Sequence, residues 1–512
     1  KEEIENFLFE VGLQDKNLTL FDAFCGMGSV SDHLKGSYKI ISNDLLKCCS
    51  IYTQARLNAE KCKFKKLGYD PIEFLNKSKK IKKVFFYKNY SPANSKRMYF
   101  SEINAGRIDF FRHTIESWKE NSQLTKNEYF FLLACLMESV SKVSNTAGVY
   151  GAFLKKWDSR AKKPIKFIEI PFNKQTALSS KNLNSRIEEI IDKVECDIIY
   201  LDPPYTQNQY GTQYHLLETL ILDDSPPISE ITGSRPVTPM RSNFSVDTKA
   251  QVLFEEIIAK TKARYILFSF SSDGFYSEKF IESVLKRYGK ENTYKVKEIN
   301  YKQYQNFKSK KRESHKEFLF FVEKKNKSEV VFNTPFNYTG SKYHLIEDIR
   351  KYLPNKIETF VDAFGGGFNV GINTEAKRII YNDNNFLVKD LIQSFQLNDV
   401  YKYLLYIRRQ IYKYELSIDN KKNYIKMRDY YNDLDLHKRD PRLLFTLIMY
   451  GFRQQIRFNK NFKFNIPPGE RWFNDRILER FISFSRAIKE KKIIFESKDY
   501  NELDKYIKKD TF

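Results

Sequence analysis

A chain of 512 residues with a formal net charge of +23 is long enough for two domains, each with its own core. It has no apolar run approaching about 18 residues and no signal-peptide pattern, which excludes a membrane-spanning or secreted reading and leaves a cytoplasmic one. The charge favours a polyanionic partner, because neutralising phosphates releases counterions, although an AT-rich gene enriches the same Lys, Asn, Ile, Tyr and Phe.

Residues Lys1 to Gly12 read as the last turns of an amphipathic helix, with Ile4, Phe7, Leu8 and Val11 on one face. Leu18 to Phe24 is an apolar strand that runs into Asp22-Ala23-Phe24-Cys25-Gly26-Met27-Gly28. A helical segment and a second strand, Tyr38 to Ser42, follow, ending at Asn43-Asp44. A glycine turn lets the backbone approach a ligand closely, and an acid about 20 residues on suits ribose hydroxyls. Asp22, Phe24, Gly26, Gly28 and Asp44 are therefore the candidate binding residues of this stretch. Position 31 is Ser where a dinucleotide fingerprint has its third glycine, which argues against a Rossmann oxidoreductase. A nucleoside without phosphates fits better, and S-adenosyl-L-methionine is one.

Roughly 150 residues separate Asp44 from Asp197, too many for a simple crossover, and their pattern is mostly helical. Phe110 to Lys119 and Asn127 to Val143 are the clearest helices, with Tyr129, Leu132, Leu133, Leu136 and Val140 expected in the core. The cluster Lys155, Lys156, Arg160, Lys162 and Lys163, near Trp157, fits equally a solvated face and a DNA-backbone contact. The six cysteines, Cys25, Cys48, Cys49, Cys62, Cys135 and Cys196, form no Cys-x-x-Cys pair with a His partner. No metal site or disulfide framework is expected, and Cys25 has no identifiable base beside it.

Asp197 to Leu201 is an apolar run ending in Asp202-Pro203-Pro204-Tyr205. The two prolines stop the strand and stiffen the turn. Such a turn holds the Asp202 carboxylate and backbone carbonyls as fixed acceptors beside the flat face of Tyr205, an arrangement suited to a planar ring bearing an exocyclic amine. The segment Tyr205 to Leu222 begins as a polar loop and becomes a helix, where His215 is expected to be structural. Tyr265 to Ser269 and Phe318 to Val322 are further strands, the latter just beyond a basic segment at Lys308 to Arg312. Glu323 to Glu329 loses the apolar period and reads as a linker.

The opening then repeats. A strand ends in Asp362-Ala363-Phe364-Gly365-Gly366-Gly367-Phe368, and a second ends in Tyr381-Asn382-Asp383, at nearly the spacing of the first copy. Phe368 stands in place of Gly28, so the second loop is expected to close differently. The second copy also has a turn, Tyr338 to Lys342, that the first lacks. Farther on, Arg453 to Gly469 alternates cations, aromatics and amides in a hairpin-like segment. There Arg453, Arg457 and Lys460 suit phosphates, Asn459 suits base edges and Phe458 suits a wedge in a base step.

These motifs resemble the Dam-like class of S-adenosyl-L-methionine-dependent DNA adenine-N6 methyltransferases, in the tandem bifunctional arrangement of the FokI-type modification enzymes. The resemblance implies an α/β chain of two tandem Rossmann-like methyltransferase domains. Each would have a mostly parallel sheet with an antiparallel last strand and a helical or hairpin DNA-recognition insert. The first domain would span 1–325, with its insert at about 60–190. The second would span 326–512 and stop before its own catalytic motif, as expected of a fragment. The implied activity is methylation of flipped adenines in double-stranded DNA, one strand per module, in a restriction-modification system whose endonuclease forms no stable complex with it.

By resemblance, Asp202, Pro203, Pro204 and Tyr205 are catalytic. Cofactor binding falls to Phe24, Gly26 and Asp44, and in the second copy to Tyr338, Lys342, Asp362, Phe364, Gly366 and Asp383. Lys342 would approach the methionine end, and Asp499 the cofactor adenine. Ser179 to Asn184, the corresponding region of the first copy, has no acid. Cytosine-N4 or RNA methylation, and a DNA-binding module with an inactive second half, are the alternatives. The Asp that begins the catalytic motif favours adenine.

Overall fold

The computed structural model describes residues 1–272, 274–300 and 316–512; the basic segment Lys308 to Arg312 lies outside them. The chain packs as two units. One comprises Lys1–Asp247, Lys260–Phe275 and Asn292–Lys324, and the other Thr248–Ala259, Tyr276–Glu291 and Lys325–Phe512. Among the described residues no helix is long and apolar enough to cross a membrane.

The first unit is built on seven strands: β1 (Thr19–Asp22), β2 (Lys39–Asn43), β3 (Ser180–Leu183), β4 (Ile198–Leu201), β5 (Tyr265–Ser271), β6 (Lys295–Asn300) and β7 (Lys316–Glu323). Their order in the sheet is β3-β2-β1-β4-β5-β7-β6. The pairs from β3 through β5 are parallel, and β7 runs antiparallel to both β5 and β6. This is the mostly parallel sheet with a reversed last strand that the resemblance implied. The order reverses direction at β1, between β2 and β4, and in open α/β sheets a ligand crevice forms beyond the carboxyl ends of the strands at such a point.

β3 adds a strand to the stretch from Asp44 to Asp197, whose pattern reads as mostly helical. Its residues, Ser-Lys-Asn-Leu, carry no apolar run, because it lies at the edge of the sheet and is only partly buried. Helices occupy much of the stretch up to Val143, and from there to β3 the chain is irregular apart from a short turn at Arg160–Lys162. Helices Glu102–Glu120 and Lys126–Val143 pack on each other, the second opened by a Thr125/Glu128 capping box. Leu132, Leu133, Leu136 and Val140 are wholly buried, each such side chain contributing about 1.5–3 kcal/mol of apolar transfer free energy.

The second unit carries a parallel sheet of β8 (Thr359–Asp362), β9 (Arg378–Asn382) and β10 (Ile493–Glu496) in the order β10-β9-β8, matching β3-β2-β1. Thr511 bridges in parallel to Thr359, and the Phe512 amide donates to the Thr359 carbonyl at 2.9 Å. In the first unit the Asp197 amide donates to the Thr19 carbonyl at 3.0 Å, so residues 511–512 lie along β8 where β4 begins along β1. Five α-helices separate β9 from β10, and Phe395, Tyr403, Phe445 and Phe481, on four of them, meet edge-to-face or stacked.

Candidate active site

Asp22 closes β1 in register with Tyr200 on β4, and the chain then turns through two left-handed glycines, Gly26 (φ 51°) and Gly28 (φ 73°). The Cys25 amide donates to the Asn43 carbonyl at 2.9 Å. The two oxygens of Asp44 accept from the Gly26 amide at 3.0 Å and the Leu46 amide at 2.8 Å. Asp44 therefore holds the turn while its remaining lone pairs face the cleft. Nothing lies within 4 Å of where a Cβ on Gly26 would stand, whereas one on Gly28 would come 2.7 Å from the Thr53 hydroxyl. Gly26 leaves room for a ligand, and Gly28 is demanded by packing.

Asp22 is 1 % exposed. Its Oδ2 accepts from the Ser31 hydroxyl at 2.6 Å, while its Oδ1 is buried and without a partner. Burial, with lesser contributions from Asp202 and Asp44, raises the Asp22 carboxyl to about 7. Such an orphaned acceptor is costly, and a cationic ligand group beside it would supply the missing donor and restore its charge.

β4 delivers Asp202-Pro203-Pro204-Tyr205 to the same rim. Burial, with the charge of Glu317 adding to it, pushes the Asp202 carboxyl up to about 7. The Tyr205 ring stands edge-to-face on Phe270 at 5.8 Å, and its carbonyl accepts from the Phe275 amide at 3.1 Å. The turn is thereby tied to the segment that follows β5. Asp22, Phe24, Gly26, Asp44 and all four residues 202–205 line one cavity of about 320 Å³; Gly28 lies behind it.

Other walls of this cavity had little or no sequence signal. Phe244 packs edge-to-face on Phe24 at 5.2 Å, and Met240, Ser242 and Asn243 line the cavity beside it. Tyr210 and Tyr214 stack at 6.1 Å; their spacing of four on a helical stretch was the one available hint. Cys25 lines the cavity too, but burial next to Asp44 and Asp22 pushes its thiol well up, away from a nucleophilic thiolate. His215 is wholly buried, donates from Nε2 to the Tyr150 carbonyl at 2.8 Å, and is held down to about 4 by burial. It is a neutral structural group.

The second unit repeats this frame. The Gly365 amide donates to the Asn382 carbonyl at 2.8 Å, and the Asp383 oxygens accept from Gly366 at 3.1 Å and Asn385 at 2.9 Å. The expectation that Phe368 closes the loop differently is corrected. Phe368 adopts φ 62° where Gly28 has 73°, and its amide donates to the Gly365 carbonyl at 2.7 Å as Gly28 does to Cys25. The same turn forms because the fully buried Phe368 ring packs on Tyr381 at 5.3 Å, a contact that offsets the left-handed strain. Asp362 accepts from the Gly371 amide at 3.1 Å. Phe364 is 78 % exposed beside Tyr500.

Asn43 bridges Ala23 and Ser185 as Asn382 bridges Ala363 and Lys498. Asp499 therefore corresponds to Arg186, one residue beyond this bridge, rather than to a position within 179–184. The Asp499 carboxylate caps the turn at Asn501, and the Lys342 ammonium is exposed and donates to the Gly340 carbonyl. Residues 453–468 do form a hairpin. Phe458 bridges Phe464, and the Asn459 side chain accepts from the amides of Asn461 and Lys463, each at 2.9 Å. Arg453, Arg457 and Lys460 are exposed, with Arg457 donating to Asn465.

The family described as D12 class N6 adenine-specific DNA methyltransferase matches residues 1–272 and 338–512. The type II methyltransferase M.FokI of Planomicrobium okeanokoites is 35 % identical over 520 residues, covering 96 % of this chain and 80 % of its own length. The modification methylase LlaI of Lactococcus lactis subsp. lactis is 34 % identical, covering 95 % and 79 %. The modification methylase StsI of Streptococcus sanguinis is 30 % identical, covering 94 % and 77 %.

Proposed function

The chain belongs to the D12 class of N6 adenine-specific DNA methyltransferases, and from that premise we propose that its first unit methylates a flipped adenine within a specific site in duplex DNA. The observation that carries this reading is the convergence of Asp22, Asp44 and Asp202-Pro203-Pro204-Tyr205 on one cavity at the point where the strand order reverses. S-adenosyl-L-methionine, when bound, supplies an electrophilic methyl on a sulfonium. Asp44 would take the ribose hydroxyls, Phe24 and Phe244 the adenine face, and the orphaned Oδ1 of Asp22 the cationic amino-acid end.

The target adenine leaves the stack at a cost of a few kcal/mol and lies against Tyr205. The Asp202 carboxylate and the Pro203 carbonyl accept its N6 hydrogens, holding the amine so that its lone pair faces the methyl. The work is positioning and local electrostatics; after transfer the surplus amine proton passes to solvent. Asp-Pro-Pro-Tyr occurs once in residues 1–512, and the chemistry is assigned to that turn.

On the same reading, residues 1–325 and 326–512 are tandem methyltransferase domains, the exposed cations and amide of 453–460 contact DNA, and each module serves one strand. The relatives' names support a modification methylase; we take it to work in the cytoplasm beside an endonuclease of the same specificity, without forming a stable complex with it.

The test is methyl transfer from S-adenosyl-L-methionine to unmodified duplex DNA, with the modified base read by sequencing. N6-methyladenine at one recurring sequence is expected; label on cytosine or on RNA alone would overturn the reading. A second expectation concerns pH. With Asp202 at about 7, the acceptor is charged only above that value, so kcat/KM should rise through about pH 7 and level off above it. A profile that falls across this range would remove Asp202 as the ionised acceptor.

A further inference from the structure

In the second unit the turn beginning at Asn337 and the hairpin 453–468 meet at one residue. Asn337 bridges in parallel to Gln455, its amide donates to the Gln454 carbonyl at 2.9 Å, and its side-chain Nδ2 donates to the Arg453 carbonyl. Arg453 and Gln454 both sit at φ 54°, a left-handed conformation that L side chains rarely adopt singly and that must be held by its surroundings. Gln454 is 6 % exposed and donates from Nε2 to the Met449 and Trp472 carbonyls. The strained pair at the root of the hairpin is thus clamped from both sides, and Asn337 is one jaw.

The next residue faces the other way. A Cβ on Gly366 would come 2.6 Å from the Tyr338 ring, so that ring covers the glycine turn, and the Tyr338 hydroxyl donates to the Asp383 carboxylate at 3.3 Å. Consecutive residues therefore grip the root of the hairpin and the acid that frames the second glycine turn. Any ligand lying over the Gly366 turn and Asp383 meets the Tyr338 ring, and a backbone shift of Tyr338 carries Asn337 with it.

We propose that Asn337 is a positioning residue that couples loading of the Gly366–Asp383 site to the pose of the hairpin 453–468. This rests on reading that site as a cofactor site and the hairpin as DNA-facing. The coupling is reciprocal: a loaded site steadies the hairpin, and a hairpin held by duplex DNA tightens the site.

The experiment is amide hydrogen exchange on the full chain, with and without S-adenosyl-L-homocysteine, which carries no transferable methyl. In the wild type, ligand should slow exchange at least about threefold both in 362–385 and in 453–468. In Asn337→Ala the slowing in 362–385 should remain and that in 453–468 should disappear. Asn337→Asp, which keeps the size but loses the Nδ2 donor, should match the alanine variant, and both should retain the wild type's methyl transfer by the first unit. Ligand protection of the hairpin that persists in both variants overturns the coupling. Protection of 362–385 without protection of the hairpin in the wild type also overturns it, while leaving the site reading intact. No protection of either segment removes the site reading and the coupling together.

Discussion

Replacing Asp202 by alanine is expected to lower methyl transfer by at least about 10³-fold while leaving cofactor affinity within a few-fold of wild type. The size follows from what is removed. Asp202 stands half-buried at the end of β4 and is the one ionisable acceptor that the catalytic turn offers an amine. Loss of one preorganised group of this kind costs about 2.7–4 kcal/mol, and here the charge is lost with it. The turn itself should persist. Pro203 and Pro204 remain stiff, and Tyr205 stays seated on Phe270 and bonded to the Phe275 amide. The residues assigned to the cofactor, Phe24, Asp44 and Asp22, lie on β1, β2 and the loops after them, not on β4. Asp202→Asn, which retains an acceptor oxygen without the charge, should fall between alanine and wild type. Single-turnover transfer of a labelled methyl and calorimetric titration of the cofactor separate the two effects. Full activity in the alanine variant would sink the assignment.

Arg486→Met should destabilise the second unit by about 3–5 kcal/mol, the cost of removing one partner from a buried ion pair. Glu255 is wholly buried and accepts from Arg486 Nε at 3.1 and 3.2 Å and from the Tyr288 hydroxyl. Burial raises the Glu255 carboxyl, and Arg486 is the main group opposing that rise. Without the arginine the native carboxyl binds its proton more tightly than the unfolded one does. The stability deficit should therefore be largest near neutral pH and shrink as pH falls towards 4–5. Denaturant melts across that range measure it. The double variant Glu255→Met with Arg486→Met should recover part of the loss, since no uncompensated charge remains. A deficit that grows on acidification would refute this account.

The strands were legible where burial forced an apolar run. β1, β2, β4, β5, β7, β8 and β9 all lie within or close to stretches read as strands, because both their faces or their core-facing positions must be apolar. β3, with Ser-Lys-Asn-Leu, and β6, with Lys-Val-Lys-Glu-Ile-Asn, were not legible, because both are edge strands and solvent on one side relaxes the composition that pattern reading depends on. The edge strand β10 was not read either, although its Ile-Ile-Phe-Glu is apolar; four residues are too few to show a period. The glycine turns and the Pro-Pro turn were legible for a different reason. Their backbone geometry demands particular residues at particular places, apart from position 368, where a packed phenylalanine holds a conformation that usually calls for glycine. Phe244 and Met240 were out of reach, since nothing local marks a residue that lines a cavity from a distant loop.

By itself, then, the sequence determined the duplicated strand, turn and acid units, their order, and the chemistry offered by Asp202 to Tyr205. These are local properties of backbone and side chain, written in spacing and residue type. Only the tertiary structure decided which groups share a cavity, how the seven strands are ordered, and that Thr248–Ala259 and Tyr276–Glu291 pack in the second unit although they precede the linker. Those helices are held there by the Glu255, Tyr288 and Arg486 cluster and by Arg287 on Glu479. Such pairs join residues some 190 to 230 positions apart, and long-range complementarity of that kind leaves no periodicity in the chain for a reader to find.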